Sequence, residues 1–457
     1  MSPFSAHGEK VNLSEKAVLI IAVTAVAGVA VLHNMAALYH GYIDIQAFIV
    51  GGASFLLFCT LIALTLSSIN LFRTGLLKLF LLGLAFLTIH SIADPHLGDG
   101  GPATPPWLQI MIACITFTIA GILLIFVKKN EHWSRLGKAI TVASLIFSLT
   151  PISWGFAFGL RNNRPIETLN LDSMIDRRYS KNSIVIVLDE TSPEYSPILI
   201  RPLEDAKLIV VGKEVEAAGK NTGNAIPSML TGLRYDNVTP CAMNSLCGSN
   251  SIDFTSLIAS NKKSDIIGFF HPYCGINGLR SCVKQEKTVE TWLGGFKYFF
   301  CYSFNKKNLL KFCNASGAHG AGISFVEIRR LLVEKIHEAP FWQEGGLLYI
   351  HIPLPHPPSN KAHSTLKEEY EENITDAANL LGILSKKLKD RFGDDFLLIV
   401  TSDHPLRVIY HCMHPMYRSE NCTKGLPPNR NKVPLIIATP RLVDVYLPNT
   451  NVGLLVK

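Results

Sequence analysis

Lysine and arginine are absent from two stretches of the N-terminal half, His33–Gln46 and Asp94–Pro106. Charge is scarce in general: 17% of the 457 residues are charged, against 48% hydrophobic. No C-x2-C pair occurs, which removes the usual spacing of a structural zinc site. There is no internal repeat and no low-complexity tract. No small-residue cleavage site follows the first apolar run, so that run reads as an anchor rather than a removed signal peptide.

The hydrophobic excess is gathered into five apolar runs near Ala17–Leu32, Ala47–Leu66, Gly75–Ala93, Trp107–Val127 and Ala139–Leu160. Each approaches the roughly 20 helical residues that cross a bilayer. Lys10 and Lys16 precede the first run, Arg73 and Lys78 flank the second gap, and Lys128, Lys129, Arg135 and Lys138 fill the fourth. Alternating with the two segments that lack Lys and Arg, they form a positive-inside pattern that predicts a cytoplasmic N-terminus. The chain then divides into a five-helix transmembrane domain (1–160), an interfacial linker (161–182) and an exported domain (183–457). In a bacterium this means a multi-pass inner-membrane protein with a periplasmic domain, expected to act as a monomer. The net charge of +7 is modest, and Arg161, Arg164, Arg177 and Arg178 crowd the membrane exit, so no nucleic-acid partner is expected.

Two of the ten cysteines, Cys59 and Cys114, fall inside apolar runs. The other eight lie beyond residue 240 as close couples: Cys241 with Cys247, Cys274 with Cys282, Cys301 with Cys313, and Cys412 with Cys422. An even count in an exported domain favours disulfides, and four local loops are the simplest pairing.

Short apolar runs alternate with helical patterns in the exported half. Strands are expected at Ile184–Leu188, Leu208–Val211, Ile266–Phe270, Leu347–Ile352, Phe396–Thr401 and Pro434–Ala438, with helices at Phe325–His337 and from about Leu366 to Phe392. Continuous apolar strands between helices imply an α/β domain, a mostly parallel sheet sandwiched by helices. Sites in such sheets form at the carboxyl ends of the strands. Three of these strands end on metal-type ligands: Asp189 and Glu190, His356 in "PLPHPP", and Asp403 and His404 in "SDHP".

Carboxylates with imidazoles suit zinc or manganese, zinc being favoured where histidine is prominent. Asp403 and His404 are adjacent, so both reach one ion only if the chain turns, as Pro405 allows. Thr222 lies in the Gly/Asn-rich stretch "GKNTGNAIPSMLTG", ahead of a short helical pattern. Taken alone it reads as a turn cap, but a bound dication would activate its hydroxyl.

Taken together, the five-span anchor, the strand ending in "ET", the loop threonine five residues before the proline of "IPSML" and the later "SDH" resemble the membrane-bound phosphoethanolamine transferases. These are a sulfatase-like branch of the alkaline phosphatase superfamily. The resemblance implies zinc, one ion or two, bound by Glu190, Thr222, Asp403 and His404, with Thr222 as the nucleophile. It gives His356 a role in binding substrate or a second zinc. A further family histidine follows "SDH" by about a dozen residues, which favours His414 over His411. Asp189 stands where the family has glycine, closer to the paired acids of sulfatases, and is a candidate for the same second set. True sulfatases carry a C/S-x-P-x-R signature, which does not occur here.

The implied reaction takes phosphoethanolamine from phosphatidylethanolamine onto Thr222 and passes it to a lipid or glycan of the envelope, lipid A being one such acceptor. A phosphoglycerol transferase or phosphoester hydrolase of the same superfamily is the near alternative. A non-catalytic membrane sensor or scaffold is the alternative from another class.

Overall fold

The computed structural model describes residues 39, 45–68, 181–248, 250–259, 263–284, 296, 325–360, 365–413, 417, 419, 421–428 and 430–441. Of the five apolar runs only the second lies there, as helix α1 (Ile45–Ser68), 24 residues without a charged side chain. Its described side chains reach only to Leu61, and on the described residues no helix is long and apolar enough to cross a membrane. The other four runs, nearly all of the linker, and His414 lie outside the described residues.

Strand β1 (Asn182–Asp189) starts the α/β domain. Helix α2 (Ser196–Asp205), β2 (Ile209–Glu216) and α3 (Thr222–Thr231) follow. A small antiparallel sheet comes next, from β3 (Thr239–Ala242), β4 (Ser245–Cys247) and β5 (Ile252–Asp253). Then come β6 (Ser264–Gly268), β7 (Ser281–Lys284), α4 (Phe325–Glu338), β8 (Gly346–Pro355) and α5 (Leu366–Phe392). The described chain closes with β9 (Leu397–Ser402), α6 (Val408–Met413) and β10 (Lys432–Thr439).

The main sheet has seven strands in the order β2-β10-β9-β1-β8-β6-β7. β1 lies parallel to β8 and β9, and β6 parallel to β7 and β8, while β10 runs antiparallel to both its neighbours. The sheet is therefore mixed, with one reversed strand near an edge. Its central strands are apolar throughout because both faces are covered. Ile184, Ile186 and Leu188 of β1 pack with Leu199 of α2, Leu332 of α4 and Leu381 of α5. Val187 packs on the other face with Ile226 and Leu230 of α3 and with Leu246 and Ile252 of the small sheet.

Helix α5 shows why its residues stop and start where they do. Thr365 caps it by accepting a hydrogen bond from the Glu368 N–H at 3.2 Å. Acids Glu368 and Glu369 occupy its first turn and Lys389 and Arg391 its last, matching the helix dipole. Gly393 then takes a left-handed φ of 58°, ending the helix. Tyr370 and Asn373 lie on its buried side, at the end nearest the strand termini.

Disulfides join Cys274–Cys282 and Cys412–Cys422, two of the expected local couples, and Cys247 is disulfide-bonded as well. The expected pairing of Cys301 with Cys313 falls on two positions outside the described residues. Cys412–Cys422 closes a loop spanning 10 positions directly after His411. Replacing both of its cysteines with serine should cost about 2–3 kcal/mol by the loop-entropy model. Thermal unfolding with and without reductant measures this; equal midpoints for wild type and variant under oxidising conditions would refute it.

Candidate active site

At the end of β1 the pairing with β8 shifts register between Leu188 and Asp189, and Glu190 takes a left-handed φ of 65°. A non-glycine residue in that region is costly, so the surroundings must fix it. The Glu190 N–H donates to Asp403 Oδ1 at 3.1 Å, and the Tyr370 hydroxyl donates to the Glu190 carbonyl at 2.6 Å. The reversal sends two consecutive carboxylates into different clusters.

The first cluster joins Asp189, Asp403 and His404 with the hydroxyl of Thr222. Thr222 Oγ1 lies 3.2 Å from His404 Nε2 and 3.5 Å from Asp189 Oδ1. His404 Nε2 lies 3.6 Å from Asp189 Oδ1 and 3.4 Å from Asp403 Oδ2. Four donors held at a zinc distance of about 2.1 Å in a tetrahedron would stand about 3.4 Å apart, so the spacing fits that ion.

The bonds behind these donors leave the right atoms free. Asp403 Oδ1 accepts the N–H groups of Glu190 and His404, while Oδ2 is buried with no hydrogen-bond partner. His404 Nδ1 faces the Pro405 carbonyl at 3.0 Å, which can only accept, so Nδ1 carries the proton and Nε2 the lone pair. Burial, then Asp403 and Glu190, push the Asp189 carboxyl well above the carboxylate range. Burial lowers His404, keeping its imidazole neutral. An orphaned buried carboxylate oxygen, a second carboxylate forced towards protonation and a neutral imidazole are the signature of a site suited to a cation.

Helix α3 sets the threonine. The Asn221 side chain accepts from the Asn224 N–H at 2.9 Å, so Thr222 is the first helical residue. Its hydroxyl sits at the positive end of the helix dipole, where anionic oxygen is stabilised. Gly219 makes the approach possible, because a Cβ there would stand 2.5 Å from the Ala225 backbone nitrogen.

The second cluster centres on Glu190, fully buried. His411 Nε2 lies 2.5 Å from Glu190 Oε2, Arg407 Nε lies 2.5 Å from Oε1, and His356 Nε2 is 3.9 Å from Oε1. Burial alone would raise the Glu190 carboxyl, but His411, Arg407 and His356 outweigh it and hold it well below the usual range. Burial drives His356 down to about 3. Asn373 steadies this end of β8 by donating to the carbonyls of Pro355 and His356 at 3.2 Å. Both clusters have a donor set that could hold a metal ion.

The site therefore draws together Asp189, Glu190, Thr222, His356, Asp403 and His404 from the sequence reading, but in a different grouping. Asp189, rather than Glu190, stands with Thr222. His411 stands on Glu190, while His414, the expected histidine, lies outside the described residues. The sequence reading had no place for Arg407, yet the signal was there. Arg407 immediately precedes α6 and its carbonyl accepts the His411 N–H at 3.1 Å, so the i, i+4 spacing sets both on one side, and each takes one oxygen of Glu190.

These features define a buried hydroxyl–carboxylate–imidazole centre at the carboxyl ends of a central sheet. No protein-family model and no curated protein matches the chain. Solved structures to which it is similar include a protein of the alkaline phosphatase superfamily from Vibrio parahaemolyticus, at 13% identity over 62% of this chain and 71% of that one, TM-score 0.31. The C-terminal periplasmic domain of EcEptC from Escherichia coli is similar at 13% identity over 61% and 80%, TM-score 0.30. So is the soluble domain of lipooligosaccharide phosphoethanolamine transferase A from Neisseria meningitidis, at 13% over 57% and 77%, TM-score 0.28.

Proposed function

We propose that the protein is a metal-dependent phosphoryl-group transferase that moves phosphoethanolamine from phosphatidylethanolamine, through Thr222, to a lipid or glycan of the bacterial envelope. The observation that carries the reading is the Thr222 hydroxyl, at a helix N-terminus, within 3.2–3.5 Å of His404 and Asp189 in a buried donor cluster. Asp189, Asp403, His404 and Thr222 would hold a divalent ion, zinc by its donor set. Such an ion supplies positive charge to the phosphoryl oxygens and lowers the pKa of the bound hydroxyl.

The residues supply the rest. The N-terminus of α3 faces the incoming phosphoryl group, and the Thr222 hydroxyl directs its proton at Asp189 Oδ1. In the first half-reaction an Oγ1–P bond forms and the P–O bond to diacylglycerol breaks, the hydroxyl proton ending on the diacylglycerol oxygen. Arg407, anchored by Nε on Glu190 at 2.5 Å, keeps a positive charge in the neighbouring cluster. The second half-reaction repeats the exchange with the acceptor hydroxyl or phosphate. A membrane anchor would raise the effective concentration of a lipid donor.

The test is intact-mass and peptide analysis of protein incubated with phosphatidylethanolamine. A phosphoethanolamine-sized adduct on the Thr222 peptide is expected, and its transfer to water alone would make the protein a hydrolase. A headgroup of glycerol mass would change the donor. No adduct from any phospholipid, with normal metal content, would overturn the reading.

A further inference from the structure

Tyr39 lies between the first two apolar runs, 232 residues from the histidine it contacts. It is 1% exposed, packed in the core of the α/β domain on the α3 side of the sheet. Its hydroxyl is 2.7 Å from His271 Nδ1, and His271 Nε2 is 3.0 Å from the main-chain carbonyl of Thr222. A carbonyl only accepts, so Nε2 carries the ring proton. In the neutral ring Nδ1 is then the acceptor, and Tyr39 donates to it. The His271 ring is held flat against Phe254, 16° from parallel at 5.4 Å, with Tyr39 edge-on to both. Farther along the N-terminal half, Phe55 and Phe58 of α1 meet Phe296 at 6.3 and 5.5 Å.

We infer that Tyr39 and His271 are positioning residues through which the N-terminal half orients the nucleophile. The inference rests on Thr222 being that nucleophile. The Thr222 carbonyl has two lone pairs. The Ala225 N–H bonds the Asn221 carbonyl, so the Thr222 carbonyl comes next in the helical ladder: one lone pair serves the Ile226 N–H and the other takes the His271 proton. Thr222 begins its helix, where backbone is least constrained, so a bond to its carbonyl fixes the peptide that carries the hydroxyl. The tautomer that can make this bond is the one Tyr39 selects. Tyr39 and the catalytic domain must also share one side of any membrane the chain crosses, as the charge alternation places the 33–46 segment.

The experiment uses the full chain in detergent, with phosphatidylethanolamine carrying a fluorescent acyl chain. Tyr39→Phe keeps the ring and removes the donor. It is expected to lower kcat about fivefold, the equivalent of one neutral hydrogen bond of about 1 kcal/mol, with KM and metal content unchanged. His271→Gln keeps a donor that reaches the Thr222 carbonyl without choosing a tautomer, so adding Tyr39→Phe to it should change nothing more. Amide exchange at Ile226 should quicken in Tyr39→Phe and not elsewhere in α3, a readout that needs no activity. An unchanged kcat and exchange rate in Tyr39→Phe would overturn the inference. So would a rise in KM alone, or an equal loss in both backgrounds. A wild type that neither turns over the lipid nor forms the Thr222 adduct overturns the transferase reading instead, and the exchange measurement still decides this one.

Discussion

Thr222→Ala is expected to lower transfer by roughly a thousandfold or more in kcat, because the atom that forms the new bond to phosphorus is gone. The adduct on the 222 peptide should vanish with it. Metal content should fall only modestly, since Asp189, Asp403 and His404 remain and all three are buried in place. Thr222→Ser should retain part of the activity: its hydroxyl survives, and only the methyl that restricts the rotamer is lost. Elemental analysis beside steady-state kinetics separates the two effects. Full activity in Thr222→Ala would show that another group is the nucleophile.

Chelation should abolish activity and, more tellingly, alter how stability depends on pH. Without a cation, Asp189 takes up a proton in the fold at pH values where it is ionised in the unfolded chain, because burial and Asp403 hold its pKa above the usual one. The folded state then binds more protons than the unfolded, so this group's contribution to stability is lost as pH rises through the raised value. Metal binding displaces the same proton and grows stronger with pH. His351, lowered to about 4, His356, to about 3, and His404 are neutral in both forms near neutrality, so their share of the slope cancels in the difference. The gap in Tm between zinc-loaded and chelated protein should therefore widen as pH rises through the raised Asp189 pKa. A constant or shrinking gap would argue against Asp189 as a ligand.

Much of this centre was legible in the sequence because it follows from a rule about sheets. Three apolar strands ending on acids or histidines place Asp189, Glu190, His356, Asp403 and His404 at one end of the sheet. The expected strands at 184–188, 347–352 and 396–401 appear as Asn182–Asp189, Gly346–Pro355 and Leu397–Ser402. The division of labour between Asp189 and Glu190 was not legible. It depends on the sign of one φ angle, which Asp403 and Tyr370 impose from 213 and 180 positions away. The approach of His411 to Glu190 depends on where α6 begins and on its helical phase. β10 reads like any buried strand, since both its faces are covered, and its reversed direction leaves no mark on its composition. Nothing local to Tyr39 announces His271.

The left-handed turn at Glu190 also sets comfort against chemistry within a single residue. Glycine at 190 would relieve a backbone penalty of about 1–2 kcal/mol. It would also leave Arg407 and His411 with no anion between them, in a pocket from which water is largely excluded. Sequence changes that ease this loop would thus tend to strip the second cluster of its centre. A search for more robust variants of this protein would have to look away from this left-handed residue.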